Sequence, residues 1–229
     1  MISEVVCRSL FMHAGVPVLD ALIVHSSETF SASWNDVPDM PFRIVPGRYF
    51  GSRFKEDAIP APTPAPPGSI KNVHSLQAII DMWVVDSLVC NIDRTVYGNT
   101  LMVPQGTKFT FIAADQSDCF CGSLPFSDGS WRDSMHVRRA ADCLFIPDAI
   151  GLAGGVDAVW ESIEKARFSL NQIEEGFADV PDEWWQASQL DPDDIQEELA
   201  RRFEALPKIL QIQQWGGLNH EQFDNIPIL

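Results

Sequence analysis

The 229-residue sequence predicts an α+β fold with a small α/β N-terminal part and a mainly helical C-terminal part. Three observations carry that expectation. Short apolar runs punctuated by Gly and Pro occupy the first third of the chain. A Pro-rich stretch, residues 59–68 (IPAPTPAPPG), interrupts any regular element. Beyond His74 the apolar residues recur mostly at helical spacing. The organisation therefore divides into residues 1–68, an α/β segment ending in a Pro-rich linker, and residues 69–229, a helical domain that opens on a helix, a loop and a hairpin.

Residues 2–14 place Val5, Val6, Leu10 and Phe11 on one helical stripe, and Gly15 and Pro17 end that helix. Ala21–His25 is a short strand. Phe42-Arg43-Ile44-Val45 reads as a second strand, followed by a Gly-punctuated turn over residues 47–52. Residues 59–68 read as an extended, solvated connection. Leu76, Ile79, Ile80, Trp83, Val84 and Leu88 define a buried helix over 74–90. Residues 100–104 and 108–113 form a hairpin turning at Gln105-Gly106. The chain is irregular to about residue 135. Helices then follow over 156–168 and 170–177.

Asp191 caps a last long helix, with Pro192 in its first turn and Asp193 and Asp194 beside the helix dipole. Its Ile195, Leu199 and Phe203 share one face. Glu197 with Arg201, and Glu198 with Arg202, are expected as i,i+4 pairs on the solvent side. Pro207 should bend or end it.

The net charge of −16 argues against direct nucleic-acid binding and against an anionic membrane surface. No stretch approaches the roughly eighteen apolar residues of a membrane helix. The N-terminal residues lack the basic start and apolar segment of a signal peptide, so a cytoplasmic location is expected. The five Cys are odd in number and irregularly spaced, as in reduced, mostly buried thiols. Cys119-x-Cys121 with His136 and Cys143 matches no common zinc module. His136 beside Arg138 and Arg139 reads as a solvated helix face. Trp184-Trp185 reads as packing.

One segment carries chemistry. Asn91-Ile92-Asp93-Arg94 leaves the buried helix, Asn99 precedes the hairpin, and Asp115 follows it after Phe111-Ile112-Ala113-Ala114. Phosphoryl-transfer sites use such a layout: one Asp faces the substrate hydroxyl, and an Asn and a later Asp hold the metal that carries the phosphates. On this reading Asp93 is the catalytic base, and Asn99 and Asp115 are Mg²⁺ ligands. Arg94 locks the loop or pairs with Asp93. Asp118 is a further candidate beside Asp115. As turn formers, the same Asp and Asn residues would have no chemistry at all.

The order of motifs resembles the HipA-like kinase family, and more distantly the phosphoinositide kinases and the wider protein-kinase-like fold. The residues that carry the resemblance are Ser3-Glu4, Gly15-Val16-Pro17-Val18, Gly47-Arg48-Tyr49-Phe50-Gly51-Ser52, Asn91-Ile92-Asp93-Arg94, Asp115, Val180-Pro181-Asp182-Glu183-Trp184 and Leu199-Ala200-Arg201-Arg202-Phe203. The resemblance implies an N-lobe-like first segment, a C-lobe-like second one, ATP and Mg²⁺ as cofactors, and a protein Ser/Thr hydroxyl as acceptor. It gives Glu4 a nucleotide-site role, opposite a Lys.

The chain departs from the pattern twice. Asn99 stands one residue later than usual, with Gly98 in its place. No Gly-rich phosphate loop is visible, and Lys55, Lys71 and Lys108 sit in no matching strand. The gripping segment then belongs upstream in a longer protein or to another chain, or the protein is a pseudokinase, an interaction module for a protein partner.

Overall fold

A computed structural model describes residues 1–39, 42–61, 69–91, 93–94, 98–120, 146–188 and 190–212. The fold is α+β, with two small antiparallel sheets and mostly helical content. Helix α1 (Ile2–His13) buries Val5, Val6, Leu10 and Phe11, the stripe read from the sequence. It stops at Gly15, whose φ of +80° suits glycine, and Val16 N–H closes the turn on the Phe11 carbonyl at 2.9 Å.

Strands β1 (Ala21–Ser26) and β2 (Gly47–Ser52) form a two-stranded antiparallel ribbon in which Ile23 faces Phe50. Here the structure corrects the sequence reading. The strand is 47–52, where a turn was expected, and residues 42–45 belong to no strand. Those residues are held by side chains instead. Asn35 bonds both the N–H and the carbonyl of Ile44, and Phe42 stacks on Trp34 with centroids 5.6 Å apart. Both partners lie on or beside α2 (Glu28–Asn35), which the sequence reading missed. Ser27 caps it, accepting from Phe30 N–H at 3.2 Å.

Ile59–Pro60 is a short strand, β3, although the whole Pro-rich stretch was expected to be a loop. It lies on the edge of β4 (Thr100–Gln105), where the Pro60 nitrogen can face away from the ladder. Strand β5 (Lys108–Ala113) completes the order β3-β4-β5. Gln105 pairs with Lys108, so the hairpin turns at Gly106-Thr107, with Gly106 at φ +63°. One parallel bridge, Val18 to Ala113, joins the chain before β1 to this sheet.

Helix α3 (Leu76–Leu88) is the axis of the molecule. Ile79, Ile80, Val84, Val85 and Leu88 are almost wholly buried. It packs against α4 (Ile146–Ala153), α5 (Val156–Leu170), the last helix α8 (Pro192–Ile212) and β5. Helix α1 lies on α5 and on α6 (Ile173–Ala178). The core is one cluster, drawing on residues on both sides of residue 68. Helices α4 and α7 (Asp182–Ser188) were not individually expected. Trp184 of α7 is buried, and Trp185 meets Phe177 edge-on at 5.8 Å.

Helix α8 starts as the sequence implies, with Asp191 accepting from Asp193 N–H at 3.0 Å. Pro207 lies inside it and does not end it. The expected solvent-side pairing of Glu198 with Arg202 needs correction, because both residues are buried. Arg202 donates to the carbonyls of Leu88 at 2.7 Å and Ser87 at 2.9 Å, at the C-terminal end of α3. Glu198 pairs with Arg201 at i,i+3. Cys7, Cys90 and Cys119 are buried free thiols. Cys121, His136, Arg138, Arg139 and Cys143 lie outside the described residues. No helix of the described residues is long and apolar enough to cross a membrane.

Candidate functional site

The site is organised by a residue pair that the sequence reading did not single out. Asp86, in the last turn of α3, is 6% exposed, and Arg94 is 5% exposed. Arg94 Nε lies 3.0 Å from Asp86 Oδ2, and Nη2 lies 3.0 Å from Oδ1. The guanidinium therefore grips a buried carboxylate as a fork. Burial pushes the Asp86 carboxyl upward, while the Arg94 charge and its bonds with Arg94 and Asn91 oppose it. Burial also disfavours the Arg94 charge, but Asp86 holds the guanidinium above its ordinary value. A side chain that does not give up its proton in proteins, bonded this closely, keeps the pair ionised. The Phe11 ring covers the guanidinium, its centroid 5.3 Å from Cζ.

The remaining donors of Arg94 fix the loop. Nη1 donates to the carbonyls of Asn99 and, at 2.6 Å, Ala114. One buried cation thus ties the end of α3 to the start of β4 and to the residue before Asp115. Sequence reasoning allowed Arg94 to pair with Asp93, but the structure gives it Asp86 instead. Asn91 supports the same arrangement. Its Nδ2 donates to Asp86 Oδ1 at 2.7 Å, and its Oδ1 accepts from Asp93 N–H at 3.0 Å. That second bond is an Asx turn, which sets the entry to the loop.

Asp93 is half-buried at the top of this scaffold. Asn99 Nδ2 donates to Asp93 Oδ2 at 2.7 Å and to the Asp93 carbonyl at 3.0 Å. Gly98, immediately before Asn99, sits at φ +100°, a conformation that suits glycine. The structure therefore brings Asp93 and Asn99 together. Both of these bonds use Nδ2, leaving Oδ1, the oxygen that could ligate a metal, outside them.

Asp115 follows β5 in the left-handed region, with φ 52°. It is exposed. Its Oδ1 accepts from the Ser117 hydroxyl at 2.5 Å and from Ser117 N–H at 3.1 Å. Partial burial works against its charge, but the two Ser117 bonds, Glu4 and the Arg94 charge together hold its carboxyl below the ordinary value. Asp118 moves upward, through burial first and then through its contact with Asp93 and the charges of Asp93 and Asp115. The four carboxyls Glu4, Asp93, Asp115 and Asp118 are thus electrostatically linked.

Glu4 reaches this group from α1. Its Oε2 accepts from Gln116 N–H at 2.9 Å. Burial, offset in part by that bond, and then the neighbouring Asp115 carboxyl push its pKa up to about 7. Among the described residues no ion pair involves Glu4, so the Lys that the resemblance requires opposite it is not among them.

Backbone strain marks the same place. Among the described residues four non-glycine residues have positive φ, and three of them, Cys90, Asp115 and Phe120, flank this site. Each such conformation costs roughly 1 kcal/mol or more and persists where its surroundings fix it. Phe120 N–H donates to the Val89 carbonyl at 2.7 Å, which ties the segment after Asp115 back to α3.

The donor set is one of hard oxygens, the chemistry that suits Mg²⁺. Among the described residues no three His, Cys, Asp or Glu side chains are close enough to form a self-contained cage. A pocket of about 200 Å³ opens nearby, lined by Val18, Asp20, Arg53, Phe54, Lys55 and Ile112. Ile112 is on β5, three residues before Asp115.

Comparison with protein-family models, with curated proteins and with solved structures finds no match for this chain.

Proposed function

We propose that this chain carries the catalytic-loop half of a kinase-like site, transferring phosphate from ATP·Mg²⁺ to a hydroxyl, with a protein Ser/Thr as the acceptor. One observation carries the reading: a single buried guanidinium, Arg94, holds the Asp93 loop, Asn99 and the residue before Asp115 together. Mg²⁺ would neutralise the phosphate oxygens. Asp115 and the Asn99 Oδ1 are the residues that would hold it, with Asp118 beside them. Asp93 would accept the proton of the attacking hydroxyl, and the Asn99 Nδ2 bond fixes where its carboxylate points. Arg94 is engaged by Asp86 and two carbonyls and acts as a positioning residue. At the pocket that Ile112 shares, Lys55 adds a positive charge, while Arg53 is paired with Asp20 at 3.7 Å.

Glu4 favours a second reading. With its pKa raised to about 7 and, among the described residues, the Met1 amino group rather than a lysine as the cation acting on it, it lacks the partner that an ATP grip needs. On that reading the fold is kept as an interaction module, or another chain completes the site.

Nucleotide-dependent thermal stability separates the two. Millimolar ATP with Mg²⁺ should raise Tm by several degrees, because a ligand at ten times Kd contributes about 1.4 kcal/mol. Asp115→Ala should abolish the shift, read against the variant's own free Tm, which falls because Ala loses both Ser117 bonds and sits less readily at φ 52°. Asp93→Asn should keep the shift and lose phosphate transfer. If the wild type is not stabilised by ATP and Mg²⁺, the enzyme reading fails for this chain alone.

A further inference from the structure

Among the described residues thirteen large hydrophobic side chains are exposed, and nine of them fall between Leu22 and Ile59. The concentration is greatest on β1. Leu22, Ile23 and Val24 are consecutive and 42%, 42% and 49% exposed. Successive strand residues point to opposite faces, so β1 is apolar on both. That pattern belongs to strands covered on both faces inside a sheet. Yet β1 pairs only with β2, and among the described residues no strand lies along its other edge. Isolated two-stranded ribbons are marginal on their own, and an unprotected apolar edge is ordinarily blunted by charge, Pro or a bulge. Leu22–Val24 carries none of these.

The ribbon is nevertheless firmly anchored. Arg48 of β2 forms a two-point ion pair with Glu183 of α7, and the Trp184 indole N–H donates to the Arg48 carbonyl at 3.2 Å. Its edge is therefore presented in a fixed place.

We infer that the free edge of β1 is a docking strand, to which a β-strand of a separate, positively charged polypeptide adds. The edge selects a strand, because its unused backbone groups are satisfied by main-chain hydrogen bonds while flanking apolar side chains cover Leu22, Ile23 and Val24. Charge selects the sign of the partner. A second copy would bring −16 against −16, and an anionic lipid surface is disfavoured for the same reason. The inference goes beyond the phosphoryl-transfer reading and does not depend on it, because binding is measured without nucleotide or turnover.

The test uses the full chain and two acetylated synthetic peptides, one alternating Val and Lys, the other alternating Val and Glu. The Arg53 N–H bonds the Asp20 carbonyl, so Leu22 and Val24 N–H face β2 while those of Ala21, Ile23 and His25 face the free edge. Binding is read by titration and by hydrogen exchange at the Ala21, Ile23 and His25 amides. The Val/Lys peptide should bind and slow exchange at those amides. The Val/Glu peptide should bind at least about tenfold more weakly. Ile23→Lys, at an exposed position, should remove Val/Lys binding with Tm unchanged, and Ile23→Val should retain it. Three results would each overturn the inference: no protection of the Ala21, Ile23 and His25 amides by the Val/Lys peptide, equal binding of the two peptides, or sedimentation of the free protein as a dimer in which those three amides are already protected.

Discussion

Asp86 and Arg94 show how much of the site depends on a single buried contact. Asp86→Ala would leave the guanidinium enclosed beneath Phe11 with no counter-charge. Breaking a buried pair from one side is expected to cost about 3–5 kcal/mol. Urea unfolding should show that loss, and the remaining folded fraction should lose any ATP·Mg²⁺ response as the loop slackens. Glu4 makes a prediction of opposite character. Its carboxyl is raised from 4.5 to about 7 in the folded state, so folding favours the protonated form. The contribution is full below pH 4.5 and is lost as pH rises toward 7. Over that window wild-type stability should fall by up to about 3 kcal/mol from this group. Glu4→Gln should flatten the slope and be the more stable protein at pH 8. A slope unchanged in Glu4→Gln would show that Glu4 is not its source. Asp93, Asn99 and Asp115 were visible in the sequence as motif positions. Asp86 was not, because an acidic residue in the last turn of an apolar helix carries no signal until its partner eight residues on is seen to fold back beneath it.

At the scale of elements, legibility followed periodicity. Helices α1, α3 and α5 and the β4–β5 hairpin were readable because apolar spacing or a Gly turn declared them. Helix α2 was not, because Phe30 packs on Trp34 and Trp34 on Phe42, outside the core cluster. The misplaced β2 has the same origin. Phe42-Arg43-Ile44-Val45 has strand composition, but Asn35 takes the Ile44 backbone groups, so the pairing passes to 47–52. Tertiary hydrogen bonding overrode propensity. The seam between α1 and α6 is equally invisible in sequence. A Cβ on Gly176 would stand 2.8 Å from Ser9 Cβ. Gly176→Ala should therefore destabilise the protein by about 1–3 kcal/mol as the helices separate. It should also disturb Glu4, which rides on α1, and a pH–stability profile would register both effects.

For the molecule as a whole, net charge and the acidic cluster act together. A chain of −16 repels itself when compact, so moderate NaCl should raise Tm, and the gain should shrink as pH falls and carboxylates are neutralised. A Tm that drops with added salt at neutral pH would contradict this. The α+β character follows from features spread along the chain, which is why composition and pattern disclosed it. The single core cluster, drawing on both sides of residue 68, was not anticipated, because it depends on long-range packing. The Arg94 contacts add a kinetic consequence. They join positions up to twenty residues apart, and Glu4 meets Gln116 across 112. Contacts of such separation are slow to close, because chain entropy is surrendered before they form. Helix α3 and the hairpin can appear early from local contacts alone. The acidic site is complete only when Glu4 reaches Gln116, the most distant of these contacts along the chain.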